Sequence, residues 1–118
     1  MKDGVREVEV EALASSGDGV ARVDGRSLRV PGALPGERAE VLITRGAATL
    51  RSLKVLSPER VTPRCAVFDR CGGCVWQHAS PALQRDAALA MVRRALPPSL
   101  RGVDLAWHAS PYPWAWRT

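Results

Sequence analysis

The sequence predicts a mainly β fold: a small five-stranded barrel, closed or nearly closed, followed by a cysteine loop and one helix. Three observations carry this. Residues 5–14 alternate apolar and acidic side chains, turn signals recur through the first 57 residues, and Asp24-Gly25 is flanked by apolar runs. Period-two patterning puts one face of a strand in a core and the other in water. A five-stranded antiparallel sheet left open is the structural alternative; closure is favoured because it removes two unprotected edges.

In order along the chain, Val8, Val10 and Ala12 form the inward face of the first strand, with Glu7, Glu9 and Glu11 outward. Ser15-Ser16-Gly17-Asp18-Gly19 is a turn cluster. Val20–Val23 is the second strand, and Asp24-Gly25 supplies the positive φ angles of a type I′ hairpin that returns through Ser27–Val30. Pro31 and Pro35 break the chain, since neither can donate to a ladder. Glu37–Arg45 is the fourth strand, with Ala39, Val41 and Ile43 on one side. Gly46-Ala47-Ala48 turns, and Thr49–Leu56 is the fifth.

Residues 1–57 therefore form one unit and residues 58–118 a second, comprising the cysteine motif, a helix and the start of an incomplete following domain. In the second unit Ser80 reads as a helix N-cap and Pro81 as the first helical residue, with Pro97-Pro98 ending the helix after Leu96. Ala87, Ala88, Met91, Val92 and Ala95 share one arc of that helix, opposite Arg85, Asp86, Arg93 and Arg94; the basic arc reads as a solvated surface. Val103–Trp107 is expected to be a short strand. No run approaches the roughly 20 apolar residues of a membrane span, and the N-terminus has no signal-peptide pattern, so a cytoplasmic protein with no membrane partner is expected.

The most specific feature is chemical. Cys65, Cys71 and Cys74 are the only cysteines, spaced C-x5-C-x2-C with Gly72-Gly73 between the last two. Clustered thiols in a reducing compartment bind metal or act in redox far more often than they form disulfides. Soft thiolates suit an iron–sulfur cluster or zinc, and glycines let the backbone curl around such a centre. Phe68, Val75 and Trp76 are candidates for its apolar shell. Three readings stay open: a cluster short of one ligand, a Cys3His zinc site completed by His78, or three thiols without metal.

The formal charge is +5, and 15 of the 17 basic residues are Arg. Residues 58–118 carry eight Arg against four acids, while residues 1–57 are nearly balanced. Arg forks match phosphate geometry, which makes nucleic acid a reasonable partner. Within the barrel Arg22, Arg26, Arg29, Arg45, Arg51 and Lys54 are the candidate RNA contacts. The barrel has no aromatic residue, so base stacking there is excluded and phosphate-led binding is expected. Trp107, Tyr112, Trp114 and Trp116, near Arg117, are possible stackers, but core of a following domain is the stronger reading.

Two pieces resemble a known family. Gly17-Asp-Gly-Val-Ala-Arg22, Asp24-Gly25 and Val30-Pro-Gly-Ala-Leu-Pro-Gly-Glu37 look like a TRAM domain, an OB-like RNA-binding barrel. The cysteine motif with Gln77-His78, then a Ser80-started helix with Gln84, is similar to the segment after that barrel in the class I RNA (uracil-5-)-methyltransferases, which act on tRNA and rRNA. The resemblance implies that Cys65, Cys71 and Cys74 are three ligands of a [4Fe–4S] cluster whose fourth ligand is a downstream cysteine absent here. It further implies S-adenosylmethionine only for a full-length relative. The chain is expected to be truncated before the catalytic domain, to bind RNA, and not to methylate alone unless a separately encoded methyltransferase domain joins it.

Overall fold

The computed structural model describes residues 1–111. Five strands form one antiparallel sheet: β1 (Gly4–Leu13), β2 (Gly19–Val23), β3 (Arg26–Val30), β4 (Arg38–Thr44) and β5 (Ala47–Val55), in the order β3-β2-β1-β4-β5. The sheet curls until β3 packs beside β5 without joining it by ladder hydrogen bonds, so the barrel is nearly closed. Its interior is aliphatic: Val8, Val10, Ala21, Val23, Leu28, Val30, Ala39, Val41 and Ile43 are buried together.

The alternation read in β1 holds as far as Val10 and then shifts. A bulge between Val10 and Ala12 interrupts the ladder to β2, just beyond the stretch from Gly4 to Glu9 that pairs with β4. Beyond it Leu13, rather than Ala12, is buried. One extra residue reverses which side chain faces the core, and it also bends the strand enough for one sheet to wrap. Asp24-Gly25 makes the expected turn, with φ of 52° and 76°. The β4–β5 turn is the same device at Arg45-Gly46 (φ 52° and 79°), one residue earlier than expected, and β5 accordingly starts at Ala47.

After the barrel, α1 (Phe68–Cys71) is a single turn within the cysteine loop and α2 (Pro81–Ala95) is the main helix. Ser80 caps α2 as anticipated: its Oγ accepts from the Leu83 N–H at 3.1 Å, and Pro81 occupies the first turn. Of the expected apolar arc, Ala87 joins Leu83 and Trp76 against buried Leu13, Leu34 and Ala79. Val92 and Ala95 remain exposed, and no residue of α2 is fully buried. Val103–Trp107 is not a strand: it has no ladder partner and no regular structure. A short apolar run becomes a strand only where an edge is within reach. Tyr112, Trp114, Trp116 and Arg117 lie outside the described residues. Among the described residues no helix is long and apolar enough to cross a membrane.

Candidate functional site

The cysteine segment is fastened to the barrel by one buried ion pair. Glu37 immediately precedes β4, in phase with inward-facing Ala39, Val41 and Ile43, so its carboxylate enters the protein. There it accepts from the Leu34 N–H (2.6 Å), the Ser57 N–H (3.2 Å), and Arg60 Nε (2.7 Å) and Nη2 (2.8 Å). Arg60 Nη2 also donates to the Gly32 carbonyl. A bidentate guanidinium and two backbone donors leave the buried charge well satisfied.

From this clamp the chain is tied to the far side of the cysteine loop. Arg60 bridges Ala79, the Val61 N–H donates to the His78 carbonyl (3.0 Å), and the Ser80 N–H to the Glu59 carbonyl (2.8 Å). Gln77 closes the loop's mouth, its Oε1 accepting from the Cys65 N–H at 3.0 Å. Gln84 reaches back from α2 to the Trp76 and Ala79 carbonyls, both at 3.0 Å. Trp76 donates its indole N–H to the Ala14 carbonyl (3.2 Å).

Gly17 explains why the turn before β2 is glycine-rich. Its φ is +93°, and a Cβ there would lie 2.2 Å from the Val75 carbonyl oxygen. Gly19 is similarly confined, with a Cβ falling 2.7 Å from the Ala33 carbonyl. The Gly-Asp-Gly run thus lets the barrel approach both the cysteine loop and the β3–β4 loop at backbone contact.

All three thiols are free; Cys65 is half-buried, and Cys71 and Cys74 are exposed. Gly72 ends α1 in a left-handed conformation (φ 74°), turning the chain between the second and third cysteines. The donors therefore suit a thiophilic centre in kind. They are not gathered: among the described residues no three Cys, His, Asp or Glu side chains converge on a metal position. Phe68 packs on His78 (ring centroids 5.4 Å apart), while Val75 stays exposed.

His78 is buried, and neither ring nitrogen has a hydrogen-bond partner. Burial, helped by the Arg60 charge and opposed by Glu37, holds its pKa below the usual imidazole value, so the ring is neutral at pH 7. It lines a groove of about 410 Å³ with Ser16, Asp18, Gly32, Phe68 and Cys74. Neither Glu37, Arg60 nor the orphaned state of His78 stands out from motif spacing. The phase of Glu37 with 39, 41 and 43 was the available signal for the clamp.

Burial raises the Glu37 pKa, but the hydrogen bonds from Arg60, Leu34 and Ser57 outweigh it, and the net value lies below the ordinary 4.5. Between that folded value and 4.5 the unfolded chain binds more protons. The pair's contribution to stability is thus present above pH 4.5 and lost as pH falls through the folded value. Urea melts from pH 7 to pH 3 are expected to show this loss in the wild type and a flatter acid limb in Glu37→Gln.

The candidate RNA-contacting side chains on the barrel are largely occupied. Arg22 pairs with Glu11 (3.3 Å), while Arg51 (3.9 Å) and Lys54 (3.6 Å) share Glu40. Arg29 donates to Ser16 Oγ (3.1 Å), and Arg45 stands on the β4–β5 turn, where its N–H donates to Asp3 (2.8 Å). Arg26 sits at the start of β3.

Residues 4–53 match the TRAM domain family. The chain is 43% identical over 118 aligned residues to the 23S rRNA (uracil(1939)-C(5))-methyltransferase RlmD of Erwinia tasmaniensis, covering 93% of this chain and 26% of that protein. It is 40% identical to RlmD of Salmonella choleraesuis over the same shares, and 46% identical to that of Salmonella typhimurium over 75% of this chain and 22% of the relative. The chain thus spans about a quarter of the length of the curated relatives it matches. A nearly closed five-stranded barrel over the matched residues, with the cysteine motif pinned beside it, agrees with these likenesses: residues 4–53 form a TRAM-like barrel, and the chain is similar in sequence to about a quarter of these 23S rRNA uracil-5 methyltransferases.

Proposed function

We propose that this chain is the RNA-gripping, iron–sulfur-bearing portion of a uracil-5 RNA methyltransferase acting on rRNA. The observation that carries the reading is the pairing, at 43% identity, of a TRAM barrel with a three-cysteine loop docked on it. Cys65, Cys71 and Cys74 would hold a [4Fe–4S] cluster, and a fourth ligand would come from outside residues 1–118. When bound, the cluster supplies an inorganic cross-link that draws the loop into one conformation. The clamp Glu37–Arg60 and the Gln77 latch hold the loop's two ends for it. With Cys65, Cys71 and Cys74 assigned to the loop, residues 1–118 leave no cysteine as a nucleophile for uracil. A methyltransferase domain, on the same polypeptide or separately encoded, is what would supply the nucleophile and the S-adenosylmethionine site.

Anaerobically prepared protein is expected to be brown, with broad visible absorbance and iron and sulfide in comparable amounts. Cys71→Ser should lose that iron while circular dichroism still reports the barrel, whose aliphatic core is its own. Stoichiometric zinc without iron would favour a Cys3His zinc site instead, a reading supported by the unpartnered nitrogens of His78. Neither metal in carefully handled material would defeat both.

A further inference from the structure

Most cations of the barrel wall are spent on carboxylates: Arg6 on Asp24, Arg22 on Glu11, Arg38 on Glu7 and Glu9, Arg51 and Lys54 on Glu40. Arg26, Arg29 and Arg45 lack such a partner among the described residues, but only the first two share an element, β3, and Arg45 stands on the β4–β5 turn. The opposite condition holds at the C-terminal end of α2. Arg93, Arg94 and Arg101 line one open cleft with Ala90, and among the described residues none of the three pairs with an acid.

Two of these guanidiniums are held in place by the backbone. Arg93 Nη1 donates to the carbonyls of Arg101 and Val103 (2.9 Å for the latter). Arg101 donates through Nε to the Leu96 carbonyl (3.1 Å) and through Nη2 to that of Arg94 (3.5 Å). A guanidinium has five N–H donors, so each keeps some in reserve, already oriented. Arg94 is exposed and makes no such bond. The carbonyl end of a helix attracts cations, which accounts for their presence. It does not neutralise three full charges around one cleft.

We propose that this cleft, formed by Arg93, Arg94 and Arg101, is a phosphodiester-binding site that grips the RNA backbone. The inference rests on the RNA-binding reading above and locates the grip outside the barrel. Preorganised forks lose little entropy on meeting phosphate, and three positive groups around one cleft attract a phosphodiester chain. Contact of this kind is independent of base sequence.

The test uses the full chain and a fluorescein-labelled, mixed-sequence RNA hairpin, titrated from 50 to 300 mM salt. Arg94 makes no internal bond, so Arg94→Ala leaves folding intact, and melting curves verify this. Each phosphate contact releases about one counterion, so Arg94→Ala should reduce the slope of log affinity against log salt by about one. At 0.1 M salt that corresponds to about eightfold weaker binding. Arg94→Glu should weaken it further, and Arg94→Lys should retain most of the slope. Paired controls Arg22→Ala and Arg51→Ala should change it little. Wild-type binding unaffected by Arg94→Glu, but lost in the barrel variants, would overturn the cleft and leave the RNA-binding reading standing. No salt-sensitive RNA binding by the wild type would overturn both.

Discussion

Glu37→Ala is expected to destabilise the protein by about 3–5 kcal/mol, the usual consequence of stranding one partner of a buried ion pair. The carboxylate is fully buried and Arg60 partly so, and the substitution also deprives the Leu34 and Ser57 amides of their acceptor. A domain of this size has only about 5–15 kcal/mol in hand. Equilibrium urea melts measure the loss directly. Arg60→Met in the Glu37→Leu background should recover part of it, because an apolar pair no longer strands a charge, although two amides stay unsatisfied. A Glu37→Ala midpoint within error of wild type would mean that the clamp does not hold the loop to the barrel.

Gly17→Ala should act at the seam rather than in the core. The left-handed φ costs an L-residue about 1–3 kcal/mol, and a methyl group 2.2 Å from the Val75 carbonyl must push that segment away. Amide exchange is the informative measurement. Protection should fall in residues 72–80 and stay high across β4, and iron content should drop with it. Gly25→Ala is the control: its φ is also positive, but a Cβ there meets nothing within 4 Å. If the two variants exchange alike, backbone strain alone explains the effect and the close approach is irrelevant.

Much of the barrel was legible because its strands obey one rule. Alternation in 5–10, 37–43 and the Asp24-Gly25 turn led to the observed order of elements, and Ser80-Pro81 marked the helix start to the residue. The departures have local causes. The bulge at 10–12 answers the need to bend β1 across two partners, which periodicity within one strand does not reveal. Arg45 takes a positive φ that its side chain does not advertise; the two-residue turn imposes it.

The cysteine loop was legible as a feature, and what fastens it was not. Gln77 proved to be the latch of that loop rather than a bystander. The clamp was hidden because Glu37 and Arg60 are 23 residues apart in sequence. The ion pairs of the barrel's candidate cations were hidden for a related reason: cross-strand neighbours, not sequence neighbours, decide which carboxylate an arginine meets.

Because residues 1–57 hold no Trp, Tyr or Phe, the interior of the β module is optically silent. Trp76, whose indole touches Ala14, is positioned to report docking of the second segment onto the first. Emission changes from that ring would follow separation at the interface, and a chain whose halves come apart early would look denatured by fluorescence while its amide circular dichroism remained intact.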